Sequence, residues 1–325
     1  MNSNLNTISQ SIDNELRLFN DLFKKSMKSD VSIVDLITRF ILKQKGKKIR
    51  PLLVLLSAKI SGGINERTYR GANLVELLHT ATLIHDDVVD NSDTRRGFPS
   101  INAIWKNKIS VLMGDYLLSR GLMLSVEGND FDFLGIITNA VKRMSEGELL
   151  QIKKTKKLDI DEQTYFRIIS DKTASLLSTC CEIGALSATT NVEYTSAMKS
   201  FGENLGIAFQ IRDDILDYIG TSKIIGKPLG GDIKEKKITL PLIYALQNGS
   251  KSFSSSILRK IKSGSKNDEV KEIIDFVKNN GGIEYANQTA KKYAEMAKNN
   301  LNIFSSSETK EALFSLVDFI IARKN

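Results

Sequence analysis

The chain has 325 residues, with 46 Lys and Arg against 38 Asp and Glu for a formal net charge of +8, and it is 41% hydrophobic and 26% charged. These proportions exclude a disordered, a collagen-like and a membrane-embedded chain. No apolar run approaches the roughly 20 residues of a bilayer helix, and the first residues lack the basic-then-apolar order of a secretory signal.

A cytoplasmic globular protein is therefore expected. The surplus cations suit nucleic acid, a membrane surface or an anionic substrate, and only their location can choose.

Helical periodicity recurs along the chain, as in Leu74, Leu77, Leu78, Ala81 and Ile84, and again in Leu205, Ala208, Ile211 and Ile215. None of the four prolines, Pro51, Pro99, Pro228 and Pro241, interrupts a long periodic stretch, and strand signals are nearly absent. The expectation is about a dozen helices forming one all-α domain over residues 1–325. Breaks are expected at 61–63, 91–100, 127–130, 156–161, 220–237 and 263–266.

In chain order, the first charged feature is Lys45-Gly46-Lys47-Lys48-Ile49-Arg50-Pro51, just ahead of a helix read as starting at Pro51. Cations beside a helix N-terminus and its unpaired N–H groups form an anion site. His79, one of two histidines, lies two turns before Asp86 on the same face; a lone His on an apolar helix is usually a core residue. His85 points elsewhere and is read as structural.

Asp86-Asp87-Val88-Val89-Asp90 ends this helical stretch, and Asp213-Asp214-Ile215-Leu216-Asp217 repeats the pattern later. At about 6% Asp, one DDxxD is expected roughly 0.07 times by chance in this length, so the repetition carries the information. Asp86 and Asp90 share a helix face, as do Asp213 and Asp217, and such stacked like charges within apolar sequence call for a cation. All-oxygen ligation with few other donors suits Mg²⁺, which keeps waters and binds substrate phosphates. Neither segment has the alternating ligands of a calcium loop.

Arg95-Arg96 follows the first acidic cluster, and Lys172-Thr173, Lys227 and Lys237 fall near expected helix ends. Alone, each reads as surface charge; interleaved with carboxylates, they suggest diphosphates bridged by metal. Adjacent Cys180 and Cys181 suit neither a disulfide nor a metal and read as small core residues in a reducing compartment.

Together these segments resemble the trans-polyprenyl diphosphate synthases, the long-chain relatives of farnesyl and geranylgeranyl diphosphate synthases. The resemblance runs through GKKIRP, HTATLIHDDVVDNSDTRRG, MGDYLLSR, EGELLQ, DKTASLL, GIAFQIRDDILDY and GKPLGGDIKEKKITLPL, in order and spacing, with Lys45-Gly46 where Gly-Gly is commoner. It implies a single large helical bundle of the isoprenoid synthase type with a central cavity. It also implies Mg²⁺-dependent head-to-tail condensation of isopentenyl diphosphate onto an allylic diphosphate, with farnesyl diphosphate the expected primer.

By this resemblance Asp86 and Asp90 would hold Mg²⁺ with Asp87 in support, and Asp213, flanked by Asp214, would hold another from a second helix. Arg95, Lys172, Thr173, Gln210, Lys227 and Lys237 would contact the allylic substrate, while Lys47, Arg50, His79 and Arg96 would hold isopentenyl diphosphate. Asp86, Asp87, Asp90, Asp213, Asp214, Lys172 and Lys227 would together form the catalytic set. The departing diphosphate is the family's proton acceptor, so no protein nucleophile is implied.

Ala81 and Thr82, one turn before Asp86, stand where short-chain relatives carry an aromatic floor. The tail would therefore run on past Leu78 and Leu74 and along Leu117, Leu118 and Met123. At roughly one isoprene unit per 5.4 Å helical turn, the product is expected at about six to eight units, C30–C40, the length of a quinone side chain. A homodimer is expected, with transient membrane contact for product release.

Three other classes fit less well. A terpene cyclase lacks a second DDxxD and GKKIRP, and a non-catalytic synthase subunit loses its acidic motifs. A nucleic-acid binder would need a basic stripe interleaved with aromatics.

Overall fold

The computed structural model describes residues 7–44, 46, 48–95, 97–220 and 229–323. Its helices, in chain order, are α1 (Asp13–Ser26), α2 (Ser32–Lys43), α3 (Ile49–Ser61), α4 (Glu66–Val89), α5 (Ile101–Glu127), α6 (Phe131–Lys157), α7 (Glu162–Ile169), α8 (Ser175–Ala188), α9 (Val192–Ile219) and α10 (Gly231–Lys234). They continue with α11 (Leu240–Asn248), α12 (Lys251–Ser263), α13 (Asn267–Asn279), α14 (Gly282–Asn300) and α15 (Glu308–Ala322). The fold is all-α, as expected; the described strands are β1 (Thr94–Arg95) and β2 (Phe98–Pro99), one antiparallel hairpin.

The chain divides into two compact units. Unit 1 comprises the described residues of Met1–Asn139, Thr179–Lys199 and Ile303–Leu313; unit 2 comprises those of Ala140–Ser178, Ser200–Asn302 and Phe314–Asn325.

In unit 1, α3 is apolar on every side and buries Leu52, Leu53, Val54, Leu55, Leu56 and Ala58, as a helix at the centre of a core must. The longer α4 begins at a capping box: the Asn65 side chain accepts from Thr68 N at 3.0 Å, and the Thr68 hydroxyl accepts from Asn65 N at 3.2 Å. Arg67 and Arg70 donate to the buried Asp130 carboxylate at 2.9 and 2.6 Å, which fixes the start of α4 against the turn after α5. Burial pushes both adjacent thiols up, that of Cys181 to about 12; neither cysteine is in a disulfide.

Helix α5 packs along α4 through Met113, Gly114, Leu117 and Gly121, and Leu74 lies 3.3 Å from where a Cβ on Gly121 would stand. Its opposite face leaves Leu112, Met123 and Val126 exposed. This corrects two expectations. By length and composition α5 is apolar enough to cross a bilayer, because Asp115 and Arg120 break its run without lowering its average far. Met123, 45% exposed, is on the outer face, because six residues from Leu117 turn a helix by about 240° and bring it to the other side.

Unit 2 is built on α9, whose Ile211, Ile215 and Tyr218 pack with Leu240 and Leu242 of α11, Ile257 and Ile261 of α12, and Ile273 and Val277 of α13. Alanines 286 and 290 of α14 fill the same core. Between α7 and α8 the chain makes one π-helical turn, Ser170–Ala174, which periodicity does not reveal.

Candidate functional site

Both acidic clusters close a long helix. In α4 the last turns carry Asp86 and Asp87, with Asp90 as C-cap, and in α9 they carry Asp213, Asp214 and Asp217; neither last turn holds a basic residue. Carboxylates at the negative end of a helix dipole each cost about 0.3–1 kcal/mol where cations would be favoured. Such an arrangement persists where something cationic is bound.

Asp86 and Asp90 are exposed, whereas Asp87 is buried. Water thus reaches the outer pair, which the apolar neighbouring sequence did not suggest. Arg95 on β1 grips Asp87, with Nε at 2.8 Å and Nη2 at 2.7 Å from Oδ1, so the hairpin stiffens the helix end. His85 turns away, its Nε2 3.2 Å from the Val111 carbonyl oxygen, and its ring rests where a Cβ on Gly114 would collide. That contact accounts for the mid-helix glycine of MGDYLL.

Helix α3 starts at Ile49, two residues earlier than expected, which puts Arg50 in its first turn. That turn has no side-chain cap and no acidic residue, which suits an anion beside a helix N-terminus. Lys48 belongs elsewhere. In the left-handed region at φ 47°, it donates its amine to Asn20 of α1; burial lowers its pKa, against the raising effect of Glu76. His79 is buried within α4. Lys47, Arg96 and Lys227 lie outside the described residues.

Unit 2 holds a cavity of about 120 Å³ lined by Lys172, Thr173, Gln210, Asp214 and Lys237, all expected at the site. Gln151, Thr155, Tyr165, Asp232 and Thr239 complete its polar wall. Thr173 donates to Gln210 Oε1 at 2.8 Å, Gln210 Nε2 to Asp214 Oδ1 at 2.8 Å, and the Tyr165 hydroxyl to Asp214 Oδ2 at 2.6 Å. Lys172 pairs with Glu148 and donates to Gln151 Oε1 at 3.2 Å, and Lys237 donates to Glu235 at 2.5 Å. Burial first, then the charge of Asp232, hold the Asp214 carboxyl well above the usual range, against hydrogen bonds from Tyr165 and Gln210 that pull it down.

The other two acids of this cluster have separate partners. Asp213 Oδ1 is 3.0 Å from Arg323 Nη1. Asp217 accepts from the N–H groups of Gly231 and Asp232, each at 3.0 Å, and so caps α10. The glycine pair of GGD, which brings those N–H groups to a carboxylate, is the sequence signal for that cap.

Among the described residues no three His, Cys, Asp or Glu side chains converge on one point. The donors still fit a divalent ion of the Mg²⁺ type. Exposed, hard carboxylate oxygens one helical turn apart supply the one or two protein ligands such an ion takes alongside water and substrate phosphate.

Comparison with known proteins shows the family and the fold. A family model for polyprenyl synthetase matches residues 31–277. An octaprenyl diphosphate synthase of Haemophilus influenzae is 33% identical over 319 residues, covering 98% of this chain and 97% of the relative. A polyprenyl synthase of Caulobacter crescentus, solved in complex with calcium and isoprenyl diphosphate, superposes with a TM-score of 0.92 at 34% identity, over 99% of this chain and 98% of that one. A geranylgeranyl pyrophosphate synthase of Bacteroides thetaiotaomicron superposes with a TM-score of 0.84 at 36% identity, over 99% and 100% of the two chains.

Proposed function

The chain belongs to the polyprenyl synthetase family and is a prenyltransferase, and from that premise we propose that it is a long-chain all-trans polyprenyl diphosphate synthase using Mg²⁺. It condenses isopentenyl diphosphate, head to tail and repeatedly, onto an allylic diphosphate such as farnesyl diphosphate, to a product of C30–C40 suited to a quinone side chain. The observation that carries this reading is the convergence of Lys172, Thr173, Gln210 and Lys237 on one polar cavity of unit 2.

Asp86 and Asp90 are the proposed metal ligands of unit 1, and Asp213 that of unit 2. Calcium in the Caulobacter relative has the same preference for oxygen. When bound, the ion stabilises the negative charge that develops on the departing diphosphate oxygen. Lys172 and Lys237 add fixed positive charge for that diphosphate, and the Tyr165, Asp214 and Gln210 hydrogen bonds hold Thr173 at the cavity wall. Asp87 acts through Arg95 by stiffening the end of α4. Arg50, on the open N-terminal turn of α3, is the proposed clamp for the isopentenyl diphosphate, aided by His79, Lys47 and Arg96.

This division of substrates is testable. Arg50→Ala should raise the KM for isopentenyl diphosphate at least tenfold with less than a twofold change for the allylic substrate, and Lys172→Ala should do the reverse. Equal rises in both constants for either variant would show the cations wrongly divided.

A cytoplasmic homodimer with no nucleic-acid partner is the proposed state. Two adjacent buried thiols suit a reducing compartment, and the exposed Leu112, Met123 and Val126 of α5 offer the apolar stripe that a stable interface needs. Sedimentation should find a dimer at micromolar concentration that Leu112→Asp dissociates; a stable wild-type monomer would contradict this.

A further inference from the structure

Lys172 and Thr173 sit inside the π-helical turn Ser170–Ala174. Such turns are rare and are often found at functional sites. The contacts that hold this one come from Arg143 of α6. Its Nε donates to Asp171 Oδ1 at 2.8 Å and its Nη2 to the Ser170 hydroxyl at 2.8 Å. Nη2 and Nη1 also donate to the two oxygens of Glu203 on α9, at 2.9 and 3.3 Å, and the Ser170 hydroxyl donates to Glu203 as well. Two helices are thereby tied to the two residues immediately before Lys172.

The same face of α6 continues toward the cavity, since Arg143, Gly147 and Gln151 are spaced four apart. A Cβ on Gly147 would stand 3.0 Å from Asp171 Cβ and 3.1 Å from Lys172 N, so a larger residue there would push the turn away by a few tenths of an ångström. Gln151 then accepts from the Lys172 amine. One helix face thus supports the turn before Lys172, its backbone and its charged end.

Electrostatics gives the clamp a second effect. Burial on its own would lower the pKa of Arg143, but the hydrogen bonds and charges of Glu203 and Asp171 outweigh it, and the guanidinium stays charged. Asp171 has one further cation nearby, Arg167 at 3.8 Å and largely exposed. Without Arg143, Asp171 would keep only that exposed cation, and a less compensated carboxylate next in sequence to Lys172 would repel a diphosphate bound there.

We propose that Arg143 is a positioning residue for the allylic diphosphate: by clamping Ser170, Asp171 and Glu203 it fixes the turn that presents Lys172 and Thr173 to the cavity. The proposal rests on the reading of Lys172 as an allylic diphosphate contact.

The test measures steady-state KM for both substrates in the full-length protein for Arg143→Met, Arg143→Lys and Lys172→Ala, at a temperature where thermal melts show each variant folded. Arg143→Met should raise the allylic KM at least tenfold and leave the isopentenyl diphosphate KM within twofold; Arg143→Lys, which keeps charge but loses the fork of donors, should recover part of the loss. If Arg143→Met does not fold, Ser170→Ala, which removes one hydroxyl from the clamp, should give the same split at about threefold. A lower melting temperature with both constants unchanged overturns the proposal, as does an unchanged split in Ser170→Ala when it is the variant used. If Lys172→Ala raises the allylic KM and Arg143→Met does not, the clamp alone is wrong. If Lys172→Ala leaves the allylic KM unchanged, the underlying site assignment fails and the proposal falls with it.

Discussion

Replacing Asp86 or Asp90 by alanine is expected to lower kcat by on the order of 10³-fold, the loss that follows when several kcal/mol of charge stabilisation on the leaving diphosphate is removed. The fold should not suffer. Both side chains are exposed and both lie at the negative end of α4. Removing either relieves repulsion within the cluster, so the melting temperature should hold or rise slightly. Asp213→Ala should also abolish turnover but with some loss of stability, because its carboxylate pairs with Arg323 at 3.0 Å. Near-normal product formation by the Asp86 variant, measured by incorporation of labelled isopentenyl diphosphate, would refute the metal assignment.

Ala81→Phe should shorten the product to C15–C20 while leaving the first condensation intact. Ala81 is buried in α4, and the side chains one and two turns further back, Leu78 and Leu74, are buried with it. The proposed path of the growing tail starts on this face, and a phenyl ring in place of the methyl group would obstruct it. The cost of overpacking a core site, about 1–3 kcal/mol, leaves the variant folded if the parent has ordinary stability. Thr82, whose hydroxyl donates to the His79 carbonyl at 2.9 Å, is bound to its own helix, which leaves Ala81 as the more direct lever. The corridor has to follow the inner face of α5 at Leu117, not Met123. Identical chain lengths from Ala81→Phe and the parent enzyme would remove Ala81 from the account.

Much of this was legible because it is local. Helix breaks at 61–63, 127–130 and 263–266 fall at Ser61, Glu127 and Ser263, where glycine, serine and polar clusters end the helical runs. The two acidic clusters mark helix ends because a DDxxD repeated at the end of an apolar run carries its own chemistry. What stayed hidden depends on partners distant in sequence. The pairing of Arg143 with Asp171 and Glu203 spans 28 and 60 residues, and that of Tyr165 with Asp214 spans 49. Lys48, Arg95 and Asp217 have the charges of ligand-binding groups, yet the structure turns them to Asn20, to Asp87 and to the start of α10. A residue's charge is visible in the sequence, whereas the carboxylate or N–H group that occupies it is set by packing.

The central claim is long-chain elongation, and it is tested most directly by incubating the protein with Mg²⁺, isopentenyl diphosphate and farnesyl diphosphate and sizing the prenyl products by mass spectrometry. All-trans products centred between C30 and C40, lost on chelation and restored by added Mg²⁺, are the predicted result. Products ending at C20 or below, or elongation that survives chelation, would contradict it.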